Sequence, residues 1–489
     1  MSRVVAMALV FLTSGAVLVM EIMAGRMLAP YVGATLETFT GIIGTVLAGM
    51  ALGSWLGGRA ADRYPPRALV GPLIFAGGVL AVISPLLIRQ LGPLLSGSSP
   101  GAIVGLAFAG FFAPALVLAA VTPVVVRARL GRLSEAGATL GQYSAVSTVG
   151  AISGTFVTGF VLIGALPTEQ VMWGLGAALM LTGAATLGRP RRVVPAALGA
   201  GALSVLLGVV VVTVGGPCDE ETQYHCVRIV QDPERASGRF VQLDLAASSY
   251  LDLEDPTYLA FAYARTIAAV ASRIEPRSGE ELRTLHIGGG GLTLPRYLAA
   301  IRPGSYNLVL ELDRGLVSTI AGRLGIGDEP GLEVWSGDAR ISIGDVERES
   351  FDLVIGDAFS SATVPWHLTT FEFVREVRER LRPDGVYAMN LIDRSPLDFA
   401  RAETATLLAV FEHVAVIAPN WTLNGREPGN LVLVGSDAPI DVEALQLDAW
   451  ANGDVGIVVL YADGVRRFAS GARVLTDSFA PVEQLITKR

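Results

Sequence analysis

The segment LHIGGGGLTLPRYLAA, residues 285–300, sets four consecutive glycines between an apolar run of strand character and a run of helical character. A turn of this kind either lets backbone approach a phosphate or nucleoside or lets a strand pack closely on a helix. The strict GxGxxG spacing is absent, so the turn alone does not decide. Glu311 falls about twenty residues further on, where a carboxylate can accept both hydroxyls of a ribose. Asp313 follows at once, Asp338 and Ala339 stand in SGDAR, and Asp357 closes FDLVIGD. Glycine or acid at four successive strand tips is the polarity that a nucleoside-binding crevice needs.

The elements that must position these residues are short apolar runs alternating with helical stretches: TLHIG, NLVLELD, LEVWSGD, FDLVIGD, GVYAMNLID and NLVLVGS. Alternation of this kind predicts a parallel sheet with helices on both faces and ligands at the carboxyl ends of the strands. We expect an α/β Rossmann-like domain over 281–440, preceded by a small β-rich segment over 217–280. The tail 441–489 holds the only lysine, Lys488, and shows no motif.

Residues 1–216 have a different character. They contain 12 Arg, no Lys and 5 acids, a balance of 12 − 5 = +7, whereas the remainder carries 25 − 40 = −15. An acidic second half argues against nucleic acid as a partner, because phosphate neutralisation needs a basic surface. Apolar stretches near 4–24, 38–58, 68–88, 101–126, 140–164, 167–187 and 193–214 are each about 20 residues long, enough to cross a hydrocarbon core of roughly 30 Å as helix. They predict an α-helical polytopic membrane domain of about seven helices, with the lipid bilayer as a partner. Arginines gather in alternate connections (Arg59, Arg63 and Arg67; Arg127, Arg129 and Arg132; Arg189, Arg191 and Arg192), which makes that side and the N-terminus cytoplasmic. Seven crossings then place everything after Gly216 outside.

Glu21 and Arg26, at the end of the first span, suit interfacial anchoring or mutual pairing. Gly53 to Leu69 resembles the loop between spans 2 and 3 of major facilitator transporters, and its glycines serve equally for close helix packing. The only cysteines, Cys218 and Cys226, are compatible with a disulfide in an oxidising compartment, with two free thiols, or with a metal site for which His225 alone supplies too few further ligands. No metal is expected.

The chain also resembles the spermidine synthase family of aminopropyltransferases, and in particular its membrane-fused members. MEIMAGRMLAPYVG, PCDEETQYHC, DLEDPTYLAFAY, IGGGG, LELD, GDAR, DAFSSATVPWHLTTFEF and LRPDGVYAMNLID carry the likeness. It implies a fold of the class I methyltransferase type and a co-substrate that is decarboxylated S-adenosylmethionine or S-adenosylmethionine itself. Gly288, Gly289 and Gly290 would flank the nucleoside, Glu311 the ribose and Asp338 the adenine amino group, with Asp313 and Ala339 also at the cofactor site. Asp357 matches the family's catalytic aspartate, which receives the proton of an alkylamine whose pKa of about 10 leaves it unreactive when charged.

Ser248, Tyr258, Ser360 and Trp366 are the positions expected to meet the amine, with Tyr258 one residue out of register. Trp421 is a second aromatic candidate. Gly291 and Ser360 replace acids that soluble synthases keep, so the nucleoside half matches the family better than the diamine half. The expected activity is transfer of an aminopropyl or related alkyl group to a small amine with release of methylthioadenosine. The alternatives are a transporter or sensor with a non-catalytic nucleoside-binding domain, and an S-adenosylmethionine-dependent methyltransferase. A homo-oligomer is left open. So is the side of the second domain: charge and cysteines favour outside, and cofactor supply favours the cytoplasm.

Overall fold

The computed structural model describes residues 1–97, 99–130, 136–186, 218–276, 279–359, 363–451 and 456–487. The chain divides into two compact units, Met1–Cys226 and Val227–Arg489.

The first unit is helical. α1 (Arg3–Val32), α2 (Leu36–Arg63), α3 (Pro66–Leu94), α4 (Pro100–Arg129) and α5 (Ala136–Ala165) are each long and apolar enough to cross a membrane. α6 (Thr168–Thr186) occupies the sixth expected span but, with Glu169 and Gln170 in its first turn, is less apolar than the other five. The seventh span, 193–214, lies outside the described residues, as do Arg132, Arg189, Arg191 and Arg192. Ser2 and Thr35 accept backbone N–H bonds at the starts of α1 and α2, supplying acceptors for donors that a helix start leaves free.

The stretch expected to form a transporter-like loop from Gly53 is mostly helix: α2 continues to Arg63. A Cβ at Gly53 would collide with the Leu116 carbonyl of α4, so the glycine there serves close backbone approach. Glu21 is not the partner of Arg26. The Arg26 guanidinium lies 3.0 Å from Glu221, and also donates to Thr168 and to the carbonyls of Thr222 and Gln223. Cys218 and Cys226 are joined by a disulfide with Cα atoms 5.2 Å apart.

The second unit opens with β1 (Cys226–Gln231), β2 (Gly238–Leu243) and β3 (Ala246–Asp252), paired antiparallel in that order, with a bulge at Val241/Gln242. α7 (Ala262–Ser272) leads into the main sheet. Its strands are β4 (Arg283–Ile287), β5 (Tyr306–Glu311), β6 (Leu332–Ser336), β7 (Phe351–Gly356), β8 (Leu381–Asp393), β9 (His413–Pro419), β10 (Gly429–Ser436) and β11 (Ile457–Tyr461), in the spatial order β11-β9-β10-β8-β7-β4-β5-β6.

The five strands from β4 to β8 are mutually parallel, as the alternation predicts. The remainder corrects the all-parallel expectation: β10 runs antiparallel to β8 and to β9, and β11 antiparallel to β9. The last fifty residues therefore complete this sheet edge with β11. Both sheet faces are covered. Every residue of β7 is buried, with Val354 in the core on one face and Leu353 and Ile355 in the core on the other. This is why the strand reads as an unbroken apolar run rather than an alternating one.

Candidate active site

The carboxyl ends of β5, β4 and β7 lie side by side, because β4 sits between its two neighbours. They bring Glu311, the glycine turn and Asp357 to one edge. Gly288 has φ +87° and Gly290 φ +49°, conformations that side chains rarely adopt. A Cβ on Gly288 would stand 2.6 Å from the Asp357 carbonyl oxygen, so bare backbone is required where the two strand ends meet.

Glu311 braces the turn. One carboxylate oxygen accepts the N–H groups of Gly289 (2.7 Å) and Gly290 (3.2 Å), and the other accepts that of Asp313 (2.9 Å). Asp313 itself caps α8 (Arg314–Leu324) through the Leu316 N–H, so its buried carboxylate serves the helix start. Asp338 likewise caps a short helix, Ala339–Ser342, and stands 3.5 Å from His367; Ala339 is buried beside it. Asp313 and Asp338 share a strand-tip position but not the cleft lining.

The cleft beneath the turn is bordered by Ser249 and Tyr250 of β3, Phe261, Tyr263 and Ala264 at the start of α7, and Leu294 and Pro295 of the helix after the glycines. Asp357, His286, Gly288 and Gly289 form its polar side. Asp357 accepts a hydrogen bond of 2.8 Å from the Asn390 side chain, and a second from the Tyr263 hydroxyl. Asn390 is held in turn by Asn430 at 2.9 Å, a relay from β10 through β8 to β7. Withdrawal from water pushes the Asp357 pKa up to about 6, against the lowering effect of the Asn390 and Tyr263 bonds. Burial raises Tyr263 well above its ordinary value, so it stays a donor. His286 is driven down to about 4 by burial and is neutral, facing Asn307 at 3.2 Å.

Several expected amine-site positions lie elsewhere. Ser248 donates to the Val241 carbonyl, and its neighbour Ser249 faces the turn instead, because adjacent residues of a strand point to opposite faces. Tyr258 is exposed under the Arg235 guanidinium, whose carbon lies 4.0 Å from the ring centre; Tyr263 takes the place beside Asp357. Trp366 is half-exposed, edge-on to His367 and outside the cleft lining, and Trp421 sits against Gly456. Ser360 lies outside the described residues. Among those residues no cluster of three metal-ligating side chains occurs.

The sequence reading missed Ser249, Tyr263, His286 and Asn390. Asn390 left a signal: an amide inside the apolar strand VYAMNLI, 1 % exposed, must have a partner.

No family model matches the chain. It is 30% identical over 253 residues to the polyamine aminopropyltransferase of Vibrio vulnificus (strain CMCP6), covering 48% of this chain and 79% of that protein. It is 28% identical over 155 residues to the probable polyamine aminopropyl transferase of Bifidobacterium longum (strain NCC 2705), covering 30% and 34%. The solved structure of a probable spermidine synthase from Corynebacterium glutamicum ATCC 13032 matches at 33% identity with a TM-score of 0.50, over 54% of this chain and 97% of that one. These likenesses cover the C-terminal half, and through that half the chain belongs to the polyamine aminopropyltransferase family.

Proposed function

We propose that the second unit transfers an aminopropyl group from decarboxylated S-adenosylmethionine to a small amine. The observation that carries this reading is Asp357: the one acid among the described residues that border the cleft, beside the glycine turn, held by Asn390 and Tyr263. An alkylammonium entering the cleft gives a proton to Asp357. The freed amine lone pair attacks the carbon next to the sulfonium, the C–N bond forms as the C–S bond breaks, and the electron pair leaves on the sulfur of methylthioadenosine. The secondary ammonium so formed keeps its proton, and Asp357, with a pKa near 6, gives the proton it took to solvent and is ready for the next turnover. A carboxylate with a pKa near 6 is ionised at pH 7 and yet more basic than an ordinary aspartate, which favours it as a proton acceptor.

The nucleoside is assigned to the side of the turn where Glu311 stands, its ribose hydroxyls donating to that carboxylate. The test is methylthioadenosine release by the purified full chain given decarboxylated S-adenosylmethionine, with and without amine. Release that depends on amine and collapses in Asp357→Asn is expected; unchanged release from that variant sinks the proposal. Release of S-adenosylhomocysteine from S-adenosylmethionine would instead favour methyl transfer.

The first unit is assigned to the bilayer, with the chain leaving it on the non-cytoplasmic side. The ends of α1, α3 and α5 and the starts of α2, α4 and α6 share one end of the helical unit, and Glu221 is tied to Arg26 and Thr168 at that end. Arg63, Arg67, Arg127 and Arg129 belong to the other end, which the positive-inside rule makes cytoplasmic. Reporter fusions just after Cys226 check this: activity confined to exported reporters is expected, and a cytoplasmic signal overturns the assignment.

A further inference from the structure

We infer that the amine accepted in this cleft is a monoamine with an apolar arm, not a diamine. The inference rests on the aminopropyl-transfer reading and adds the substrate class. A diamine brings two ammonium groups, and each one withdrawn from water needs a carboxylate or an equivalent set of acceptors. Among the described residues bordering the cleft, Asp357 is the only acid.

The acids nearby are already engaged. Glu311 holds three backbone N–H groups of the turn and its flank. Asp232 accepts the Tyr250 hydroxyl at 2.7 Å and the Glu234 N–H at 2.9 Å. Asp252, fully buried, is bonded by Arg235, by Ser237 at 3.0 Å and by the N–H groups of Glu254 and Asp255. The sequence adds none: from Ala358 to Phe371 there is no Asp or Glu.

The position where a second acid could be built is closed sterically. Gly291 donates its N–H to Ser249 Oγ at 2.9 Å, and a Cβ on Gly291 would lie 2.9 Å from Ser249 Cβ and 3.3 Å from Leu251 Cδ1. No side chain enters there without moving β3. The other polar side chains of the cleft are uncharged and already bonded within the protein: Ser249 to the Gly291 N–H, Tyr250 to Asp232, Tyr263 to Asp357, His286 to Asn307 and Thr293 to the Tyr250 carbonyl. The rest of the wall is Ala260, Phe261, Ala264, Leu294, Pro295 and Ile355, which can cover methylene and methyl groups. Gly291 and Ser249 together thus determine specificity by excluding the second carboxylate.

The experiment compares n-pentylamine with putrescine, which differ by a terminal methyl in place of an ammonium, as acceptors with decarboxylated S-adenosylmethionine and the full chain. Methylthioadenosine formation with n-pentylamine is expected to exceed that with putrescine in kcat/KM by roughly 100-fold or more, the scale of leaving one buried charge unpaired. Putrescine equal to or better than n-pentylamine overturns the inference while leaving aminopropyl transfer intact. Release with neither amine overturns the transfer reading and this inference with it. In the double variant Ser249→Gly, Gly291→Asp the preference should move toward putrescine by about 10-fold, the scale of a partly screened ion pair in a cleft. An unchanged ratio in a double variant that still turns over n-pentylamine removes Gly291 and Ser249 from the specificity argument.

Discussion

Glu311 and Asp357 end the two strands that flank β4, yet the fold treats the two carboxylates differently. Glu311 is oriented by backbone: three N–H groups, two of them from the glycine turn, hold both of its oxygens in place. Asp357 is held by side chains, Asn390 and Tyr263, brought from β8 and α7, and is withdrawn from water. On the proposed reading, the first arrangement is a rigid acceptor for hydroxyls and the second a less well solvated carboxylate readier to take a proton, the division of labour between a binding acid and a reacting one.

The sharpest test of this contrast is removal of each charge. Asp357→Asn keeps the Asn390 contact and deletes the base; we expect kcat to fall by roughly 10²–10⁴ with nucleoside affinity little changed, read from methylthioadenosine release and calorimetric titration. Glu311→Gln should do the reverse. Loss of charge-assisted hydrogen bonds weakens nucleoside binding by about 10- to 100-fold, with a smaller change in kcat. If both variants lose affinity alike, the two acids do not divide the work.

pH separates them further. Because the Asp357 pKa is raised to about 6, its base form is lost as pH falls through 6, and kcat/KM should drop tenfold per pH unit below that value. Asn390→Ala and Tyr263→Phe each remove a bond that lowers this pKa, so the acid limb should move to higher pH by a fraction of a unit to about one unit. A limb that stays fixed in both variants would detach it from Asp357.

A third buried carboxyl supplies a control of smaller effect. Glu403, on the helix Asp398–Leu408, is fully buried with no hydrogen-bond partner for either oxygen among the described residues, and burial raises it well above its ordinary value. With the folded value above the unfolded one, the native chain holds the extra proton, so its contribution to stability falls as pH rises from about 4.5 toward the folded value. Glu403→Met should therefore stabilise the protein by about 1–3 kcal/mol at pH 7 and by less at pH 4.5, measured by thermal melting in detergent, with catalysis unchanged. A gain that does not shrink on acidification points to packing rather than charge.

Residues whose positions depend on local geometry were legible in the sequence. Four glycines before a helix, an acid about twenty residues later and apolar runs of strand length placed the turn, Glu311 and Asp357 on neighbouring strand tips, because strand period and parallel connection leave little freedom there. The five long apolar helices were legible for the same reason: hydrocarbon thickness fixes length and composition. Partners supplied from a distance were not. Ser249 rather than Ser248 faces the turn because of strand facing and a bulge at Val241/Gln242, and Tyr263 rather than Tyr258 reaches Asp357 because α7 begins at Ala262. The antiparallel edge formed by β9, β10 and β11 depended on long-range pairing that no local pattern encodes.

The sequence by itself determined which residues end the strands, and its resemblance to soluble synthases sets Gly291 where an acid would be expected. Only the tertiary structure decided what that glycine means, because the contact that closes its side-chain space comes from Ser249, 42 residues away on a different sheet.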